Sequence, residues 1–453
     1  MIRELFGTDG IRGVADEFPL DARTTHAAGV ALGRLAVRLH PRPQVALGID
    51  TRESSPWLAA HVAGGLARVG VRTRFAGVLT TPGIAWLART EDFVAGVMIS
   101  ASHNPYQDNC IKIFGHTGCK LPDGQEHALE QEILTLVEQA IEPEPASLET
   151  EPGLDQAYLD YLASTFGGGL DGLRIVVDCA NGAASTLAPE LFTRLGAEVV
   201  PIHCAPDGRN INRDCGALHL SSLRETVVAR RAGLGIALDG DADRAMFVSG
   251  SGKIVDGDAV LLLAARHLYA RGELAGLDGC PIVVATVMSN LGLEEALERH
   301  GIRLLRAPVG DKYVLEEMLR SGAVLGGEQS GHIIFRACST AGDGLLTALR
   351  VLEIVRLRGK DLDELTAELV LRPQRLINVP VRVREPLEQI PEVATAIQCA
   401  RDRLGDSGRV LVRFSGTEML ARVMVEGPEA GRVEEAARRI AGAIQSALGG
   451  GCG

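Results

Sequence analysis

The chain has 453 residues, 46% hydrophobic and 23% charged, enough for roughly three or four compact domains rather than one core. A formal net charge of −12 without any long Lys/Arg run argues against nucleic acid or an anionic membrane as a partner, so an anionic ligand needs a local basic site. No run approaches the ~20 apolar residues of a membrane span, the opening Met-Ile-Arg-Glu-Leu-Phe-Gly lacks a signal peptide's apolar segment, and the nine cysteines form no C-x-x-C pair. A cytoplasmic protein without zinc knuckle or disulfide framework is expected.

In chain order, one pattern recurs three times. Val45 to Asp50 reads as a strand, followed by a polar turn at Thr51 to Ser55, a helix ending at Val69, Gly70, and a strand from Val71 to Phe75. After a break at Glu142-Pro143-Glu144-Pro145, where proline and acid content interrupt both periodicities, Arg174 to Asp178 opens the same series. It continues with a turn at Asn181-Gly182, a helix to Leu195, Gly196, and a strand from Ala197 to Ile202. Pro281 to Thr286 opens it again, with Ser289-Asn290 at the turn, a helix to His300, Gly301, and a strand from Ile302 to Leu305. Each unit has the length of a right-handed strand-helix-strand crossover, with glycine placed to end the helix left-handed.

Past Pro373 the pattern changes to strands at Leu376 to Val383, Arg409 to Val412 and Ala421 to Val425, then an amphipathic helix from about Glu429 to Leu448. The glycine-rich tail 449–453 is expected to be disordered. The fold class is therefore α/β: three similar α/β domains with mixed sheets plus a smaller C-terminal α+β domain, arranged around one central cleft. The expected boundaries are 1–145, 151–256, 257–370 and 373–448.

Each repeat is followed by another apolar strand that runs into a polar loop. Gly96 to Ile99 leads into Ser100-Ala101-Ser102-His103-Asn104-Pro105, Gly235 to Leu238 into Asp239-Gly240-Asp241-Ala242-Asp243-Arg244, and Ala323 to Leu325 into Gly326-Gly327-Glu328-Gln329-Ser330-Gly331-His332. Loops beyond the carboxyl ends of strands in α/β sheets are where ligands bind, so three repeats would present three loops to one composite site.

Asp239, Asp241 and Asp243 alternate on an extended segment and converge on one hard cation only if the backbone curls, which the glycine and alanine spacers permit. Without a cation the three carboxylates would repel, so an octahedral oxygen site for magnesium is the economical reading. A solvated acidic turn is the alternative; an EF-hand would need glycine after the third acid and glutamate at its twelfth position, where Arg244 and Gly250 stand. Ser102 follows a buried strand and can accept a phosphoryl group, which would bring about −1.5 to −2 charge and, beside three aspartates, require a divalent ion. The competing readings are an ordinary serine turn and a hydrolase with His103 as base; adjacent residues on a tight turn seldom face each other, and no G-x-S-x-G occurs. Glu328, Ser330 and His332 offer acceptors, a hydroxyl and a titratable ring suited to sugar hydroxyls, with a structural histidine as the alternative. Arg413-Phe414-Ser415-Gly416-Thr417 followed by Arg422 reads as a phosphate cradle, or else as a hairpin with surface arginines.

These four loops, in this order and with the opening Phe6-Gly7-Thr8-Asp9-Gly10-Ile11-Arg12-Gly13, resemble the α-D-phosphohexomutase superfamily along nearly the whole chain. The opening motif and the Gly-Glu-Gln-Ser-Gly-His loop are similar to bacterial members acting on glucosamine phosphates; members acting on mannose or glucose phosphates more often carry methionine at the place of Gln329. The resemblance implies interconversion of glucosamine 6-phosphate and glucosamine 1-phosphate through a phosphorylated Ser102 and a glucosamine or glucose 1,6-bisphosphate. One Mg2+ per chain would be held by Ser102, Asp239, Asp241 and Asp243. Arg12, Lys112, Arg244 and His332 are implied as catalytic, with Lys112 the acid/base partner. Glu328 and Ser330 would read the sugar, and Arg413, Ser415, Gly416, Thr417 and Arg422 would hold the distal phosphate. The partner implied is a small phosphosugar, with no nucleic acid and no membrane; a homodimer is compatible with it. A sister mutase acting on non-amino sugars, a phosphatase and a silent sugar-phosphate binding protein remain as alternatives.

The chain departs from the pattern at four places. Met419 replaces a usual proline after Ser-Gly-Thr-Glu, and Ala421 a larger apolar residue. Pro308 stands where lysine often precedes Val309-Gly310-Asp311, with Lys312 as a candidate replacement charge. Cys110 replaces a glycine, which only an unstrained backbone tolerates.

Overall fold

The computed structural model describes residues 5–7, 9–90, 93–415 and 419–449. They fall into two compact units, one built from 1–288 and 301–367, the other from 289–300 and 368–453.

The first unit contains three sheets. The first sheet comprises β1 (Phe6–Gly7), β2 (Gly10–Val14), β3 (Gln44–Ile49), β4 (Arg72–Val78), β5 (Ala95–Ile99) and β6 (Asp108–Gly115), in the order β1-β2-β6-β5-β3-β4. The second comprises β7 (Arg174–Asp178), β8 (Glu198–Ile202), β9 (Leu234–Leu238), β10 (Ala245–Ser249) and β11 (Ile254–Val255), in the order β11-β10-β9-β7-β8. The third comprises β12 (Ile282–Thr286), β13 (Arg303–Ala307), β14 (Leu325–Gly327) and β15 (Ile333–Phe335), in the order β13-β12-β14-β15.

The three sheets share one plan. In each, the first strand of the repeat (β3, β7, β12) lies in the middle and pairs in parallel with the second (β4, β8, β13) and the third (β5, β9, β14). An antiparallel strand (β6, β10, β15) then pairs with the third. The polar loops singled out in the sequence are the three equivalent connections into that antiparallel strand. Central strands buried on both faces read as continuous apolar runs: β5 and β9 are buried at every residue.

Gly70, Gly196 and Gly301 end their helices left-handed, at φ 79°, 96° and 71°. The break at 142–145 is an extended strap rather than a free linker: 141–149 form neither helix nor strand, yet Ala146 N–H reaches the Ala60 carbonyl at 2.9 Å and Glu151 N–H the Phe75 carbonyl at 2.7 Å. Gly326 and Gly327, expected in a turn, lie in β14, where they pair with Ile334 and Ile333.

The second unit has one antiparallel sheet of β16 (Gln374–Pro380), β17 (Arg409–Phe414) and β18 (Leu420–Glu426), in the order β16-β18-β17. Helix Leu291–Arg299, the crossover helix of the third repeat, belongs to this unit, where Leu291 N–H donates to the Glu426 carboxylate at 2.8 Å. Helix Ala430–Leu448 covers the sheet with Val433, Ala437, Ile440 and Ile444. A helix absent from the sequence expectations, Pro391–Leu404, joins the same core through Val393, Ala396, Ile397, Ala400 and Leu404. Of the tail, 450–453 lie outside the described residues.

Candidate active site

Ser102, in the loop between β5 and β6, is left-handed at φ 52°, a strained conformation for a residue with a Cβ unless its surroundings impose it. They do so from behind. The buried Arg52 guanidinium pairs with Asp50 and donates to the carbonyls of Ser102 at 3.1 Å and Asn104 at 2.6 Å. Asn212 Nδ2 donates to the same two carbonyls at 2.8 and 3.1 Å. With its backbone held this way, Ser102 turns its hydroxyl toward the acidic loop, and Oγ donates to Asp239 Oδ2 at 2.6 Å. Oγ also lies 3.3 Å from His103 Nδ1, so these adjacent residues do face each other, contrary to the sequence expectation. Burial, and then the positive charge of Arg244, hold the His103 pKa down at about 4.

The acidic loop approaches so closely that a Cβ on Gly240 would sit 2.5 Å from the Ser102 carbonyl oxygen. The curl expected of it is present: Ala242 is left-handed at φ 57°, and its N–H closes onto the Asp239 carbonyl at 3.0 Å. Asp239, Asp241 and Asp243 are buried, with one oxygen of each within 4.8 Å of the others. Burial, then repulsion from Asp243 and Asp241, push the Asp239 pKa well above the usual carboxylate range. Burial also opposes ionisation of Asp243, but the nearby charges of His332, Lys112 and Arg244 outweigh it and hold Asp243 well below that range.

Lys112 projects from β6 into this cluster, its Nζ 2.8 Å from Asp241, 3.1 Å from Asp9 and 3.9 Å from Asp243. Burial by itself would lower its pKa, yet these carboxylates raise it well above the ordinary lysine value. The side chain is therefore an ammonium that neutralises and donates; it is ill suited to removing a proton until another cation takes over the carboxylates. Thr81 also donates to Asp241, while Asp241 Oδ1 and Asp243 Oδ1 are buried without a hydrogen-bond partner. Hard oxygen donors with unspent lone pairs fit Mg2+, which seeks carboxylate oxygens and retains other oxygen ligands; a phosphoryl group on Ser102 would supply one more.

In the third loop Glu328 accepts from Gly310 N–H at 3.1 Å and from the Ser330 hydroxyl at 3.2 Å. His332 is buried, with Nδ1 3.6 Å from Asp243. Burial alone would lower its pKa, but Asp243 raises it to about 9. Gly342 N–H donates to Nε2 at 3.0 Å, so a second ring proton must compete with that amide for the same nitrogen. Arg244 lies 3.8 Å from Asp243, and Arg12 donates to Asn104 at 3.2 Å. A cavity of about 240 Å³ adjoins the acidic loop, lined in part by Lys112, Asp243, Asp311 and His332. The first unit thus gathers Ser102, Lys112, Asp239, Asp241, Asp243, Arg244 and His332. Asp9, Arg52, Thr81 and Asn212, which sequence reading did not select, join them.

In the second unit Arg413 and Arg422 lie directly opposite each other on β17 and β18. Arg422 donates to the buried Ser415 hydroxyl at 3.4 Å. Burial and then the charge of Arg422 lower the Arg413 pKa, as expected of guanidiniums facing one another at a place suited to an anion. Gly416 and Thr417 lie outside the described residues.

Two of the departures are resolved. Cys110 sits in regular β pairing opposite Arg12, its thiol donating to the Asp9 carbonyl at 3.0 Å, so the backbone is unstrained. Lys312 does not replace the charge missing at Pro308, because its ammonium is engaged by Asp123 and by Glu126 at 3.2 Å.

Three repeated sheets that bring a serine, an acidic triad and a polar loop together define a phosphohexomutase, and the chain belongs to the phosphoglucomutase/phosphomannomutase family. The models of that family match in order: alpha/beta/alpha domain I over 3–140, domain II over 156–252, domain III over 256–372 and the C-terminal domain over 376–443. Within the family, the chain is 59% identical to the phosphoglucosamine mutase of Solibacter usitatus, over 99% of this chain and 100% of that one. A phosphoglucomutase/phosphomannomutase family protein from Burkholderia thailandensis shares the fold at 24% identity and a TM-score of 0.79, over 97% of each chain. Aspergillus fumigatus N-acetylphosphoglucosamine mutase, solved with GlcNAc-6P and magnesium, shares the fold at 21% identity and a TM-score of 0.64, over 88% of this chain and 82% of that one. No helix among the described residues is long and apolar enough to cross a membrane.

Proposed function

We propose that this chain is a cytoplasmic enzyme interconverting glucosamine 6-phosphate and glucosamine 1-phosphate, with Ser102 carrying the phosphoryl group between turnovers. The observation that carries the reading is the 2.6 Å contact between Ser102 Oγ and Asp239 in a buried triad of acids. The full-length relative at 59% identity supports the amino sugar.

In this reading the bond from phosphorus to Ser102 Oγ breaks as a bond forms to the free hydroxyl of the bound sugar phosphate. That hydroxyl loses its proton and Oγ regains one. The resulting 1,6-bisphosphate turns over, and its other phosphoryl group returns to Ser102 by the reverse step. Mg2+ held by Asp239, Asp241 and Asp243 would supply charge neutralisation at the transferring group. The protein's own part is positioning and electrostatics. Arg52 and Asn212 fix the serine loop, Lys112 donates from Nζ, and Arg12, Arg244 and His332 offset negative charge. Glu328 and Ser330 read sugar hydroxyls. In the second unit, Arg413, Ser415 and Arg422, with Gly416 and Thr417, are assigned to a phosphate.

The test is a coupled assay of the full-length chain with Mg2+ and trace glucose 1,6-bisphosphate, comparing glucosamine, glucose and mannose phosphates. Highest turnover on the amino sugar, lost in Ser102→Ala, is expected; inactivity on every hexose phosphate would overturn the reading.

A further inference from the structure

The second repeat carries a group of metal-ligating side chains that no step above uses. Asp178 ends β7, His203 follows β8, and Cys215 lies twelve residues further on; one donor atom of each lies within 4.8 Å of the others. Asp178 is 0% exposed and Cys215 1%, whereas the His203 side chain is 28% exposed and opens the group to solvent on one side. His203 Nδ1 is 3.0 Å from Asp178 Oδ2. The carboxylate is held in place by Ala180 N–H on Oδ1 at 2.9 Å and Gly216 N–H on Oδ2 at 3.0 Å, the kind of outer support that orients a ligand. Asn181 Nδ2 lies 3.9 Å from Cys215 Sγ. Ala180, Asn181, His203, Asn212 and Asp214, in the two segments that carry these ligands, all have positive φ. A tetrahedral zinc with bonds of ~2.0–2.3 Å sets its oxygen, nitrogen and sulfur donors about 3.3–3.6 Å apart. From spacings of at most 4.8 Å, the cysteine closes by no more than roughly 1.5 Å, while the 3.0 Å histidine–aspartate pair opens slightly.

We propose that Asp178, His203 and Cys215 form a second metal site, for a borderline transition-metal cation such as Zn2+, with solvent supplying the fourth ligand on the His203 side. The mixed oxygen, nitrogen and sulfur set selects against Mg2+, which requires oxygen ligands, so the site is chemically distinct from the aspartate triad. On binding, the Cys215 thiol proton leaves to solvent. His203 coordinates through Nδ1 as the neutral ring with its proton on Nε2, and the carboxylate and thiolate balance the dication. The occupied site clamps the segment from 203 to 215. That segment includes Asn212, which holds the carbonyls of Ser102 and Asn104, so the cation braces the phosphoryl-carrying loop from outside the reaction centre.

The test uses the full-length chain with Co2+ titrated in excess Mg2+, reading the thiolate-to-cobalt charge-transfer absorption, a signal the aspartate triad cannot produce. One equivalent should generate the band. Cys215→Ser should abolish it, and His203→Asn, chosen because asparagine tolerates the left-handed backbone, should weaken binding more than tenfold in a protein that still folds. Cys204→Ser should leave the titration unchanged. No band, a band that survives Cys215→Ser, unchanged affinity in His203→Asn, or loss in Cys204→Ser each overturns the three-residue site.

Discussion

Replacing Lys112 with methionine removes one charge from the acidic cluster while keeping most of the buried volume. At an effective dielectric of about 20, the 2.8 Å contact to Asp241 and the 3.1 Å contact to Asp9 correspond to gross attractions of roughly 6 and 5 kcal/mol. These gross terms are opposed by the desolvation of an ammonium that is 1% exposed. Breaking such a buried arrangement on one side costs about 3–5 kcal/mol net, which for a unit this large lowers the midpoint of thermal unfolding by roughly 4–7 °C. The decisive quantity is the response to Mg2+. With the competing ammonium gone, the cation becomes the main relief for the triad, so the rise in midpoint between chelator and saturating Mg2+ should be larger in Lys112→Met than in the parent. Differential scanning calorimetry of both proteins with and without Mg2+ measures it. Turnover should stay at least about a hundredfold down even at saturating Mg2+, since the donor at Nζ is not restored. Equal midpoints under chelation, or equal Mg2+ increments in the two proteins, would refute the electrostatic account of the cluster.

Ser102→Ala should retain the fold and lose turnover by about 10⁴-fold or more, as for removal of a covalent nucleophile; mass spectrometry should find no phosphoryl group on the variant after incubation with bisphosphate. Gly240→Ala places a Cβ 2.5 Å from the Ser102 carbonyl and should cost about 1–3 kcal/mol by overpacking, with turnover falling more than the melting midpoint suggests because the serine loop must move. Asp343 caps helix Gly344–Arg358 and accepts from Tyr158 at 2.7 Å, and burial raises its pKa to about 6. A raised carboxyl pKa contributes stability that is complete below about pH 4 and lost as pH climbs through about 6, about 3 kcal/mol in all. Asp343→Asn should flatten the fall in midpoint between pH 4 and 6.5, and an unchanged slope would show that Asp343 does not titrate there.

Much of the first unit was legible because its signals are local. An apolar run ending in a polar cluster marks a buried strand and the loop beyond it, and the same signal occurred at 100–105, 239–244 and 328–332. Glycines after the helices of the repeats gave the crossover boundaries for the same reason. What escaped depends on strands that are neighbours only in space. Asp50 reads as the end of a strand and Arg52 as part of an ordinary polar turn until β3 is placed beside β5, which turns the guanidinium onto the carbonyls of Ser102 and Asn104. Asn212 is more than a hundred residues from the loop it holds. Lys312 looked available because its partners, Asp123 and Glu126, lie far away in sequence. Helix Pro391–Leu404 was a different kind of miss. Its apolar positions keep a helical spacing, with proline at the favoured first position, and the signal was there to be read.

The repeats also explain why the site is one site rather than three. An acidic loop such as 239–243 is self-repelling by itself, which is visible in Asp239, raised by burial and then by Asp243 and Asp241. The groups that relieve it come from other sheets: Ser102 and Lys112 from the first, His332 from the third. Equivalent strand connections therefore meet because the charge of one is compensated only by its counterparts. The same arrangement prepares the chemistry, since Asp241 Oδ1 and Asp243 Oδ1 keep free lone pairs after Lys112 has paired, which suits a divalent cation, and a cation there would make a place for a phosphoryl group on Ser102. Neutralising any one contributor should thus disturb assembly and turnover together, whereas a residue proposed only to read the sugar, such as Ser330, should alter turnover and leave the unfolding midpoint unchanged.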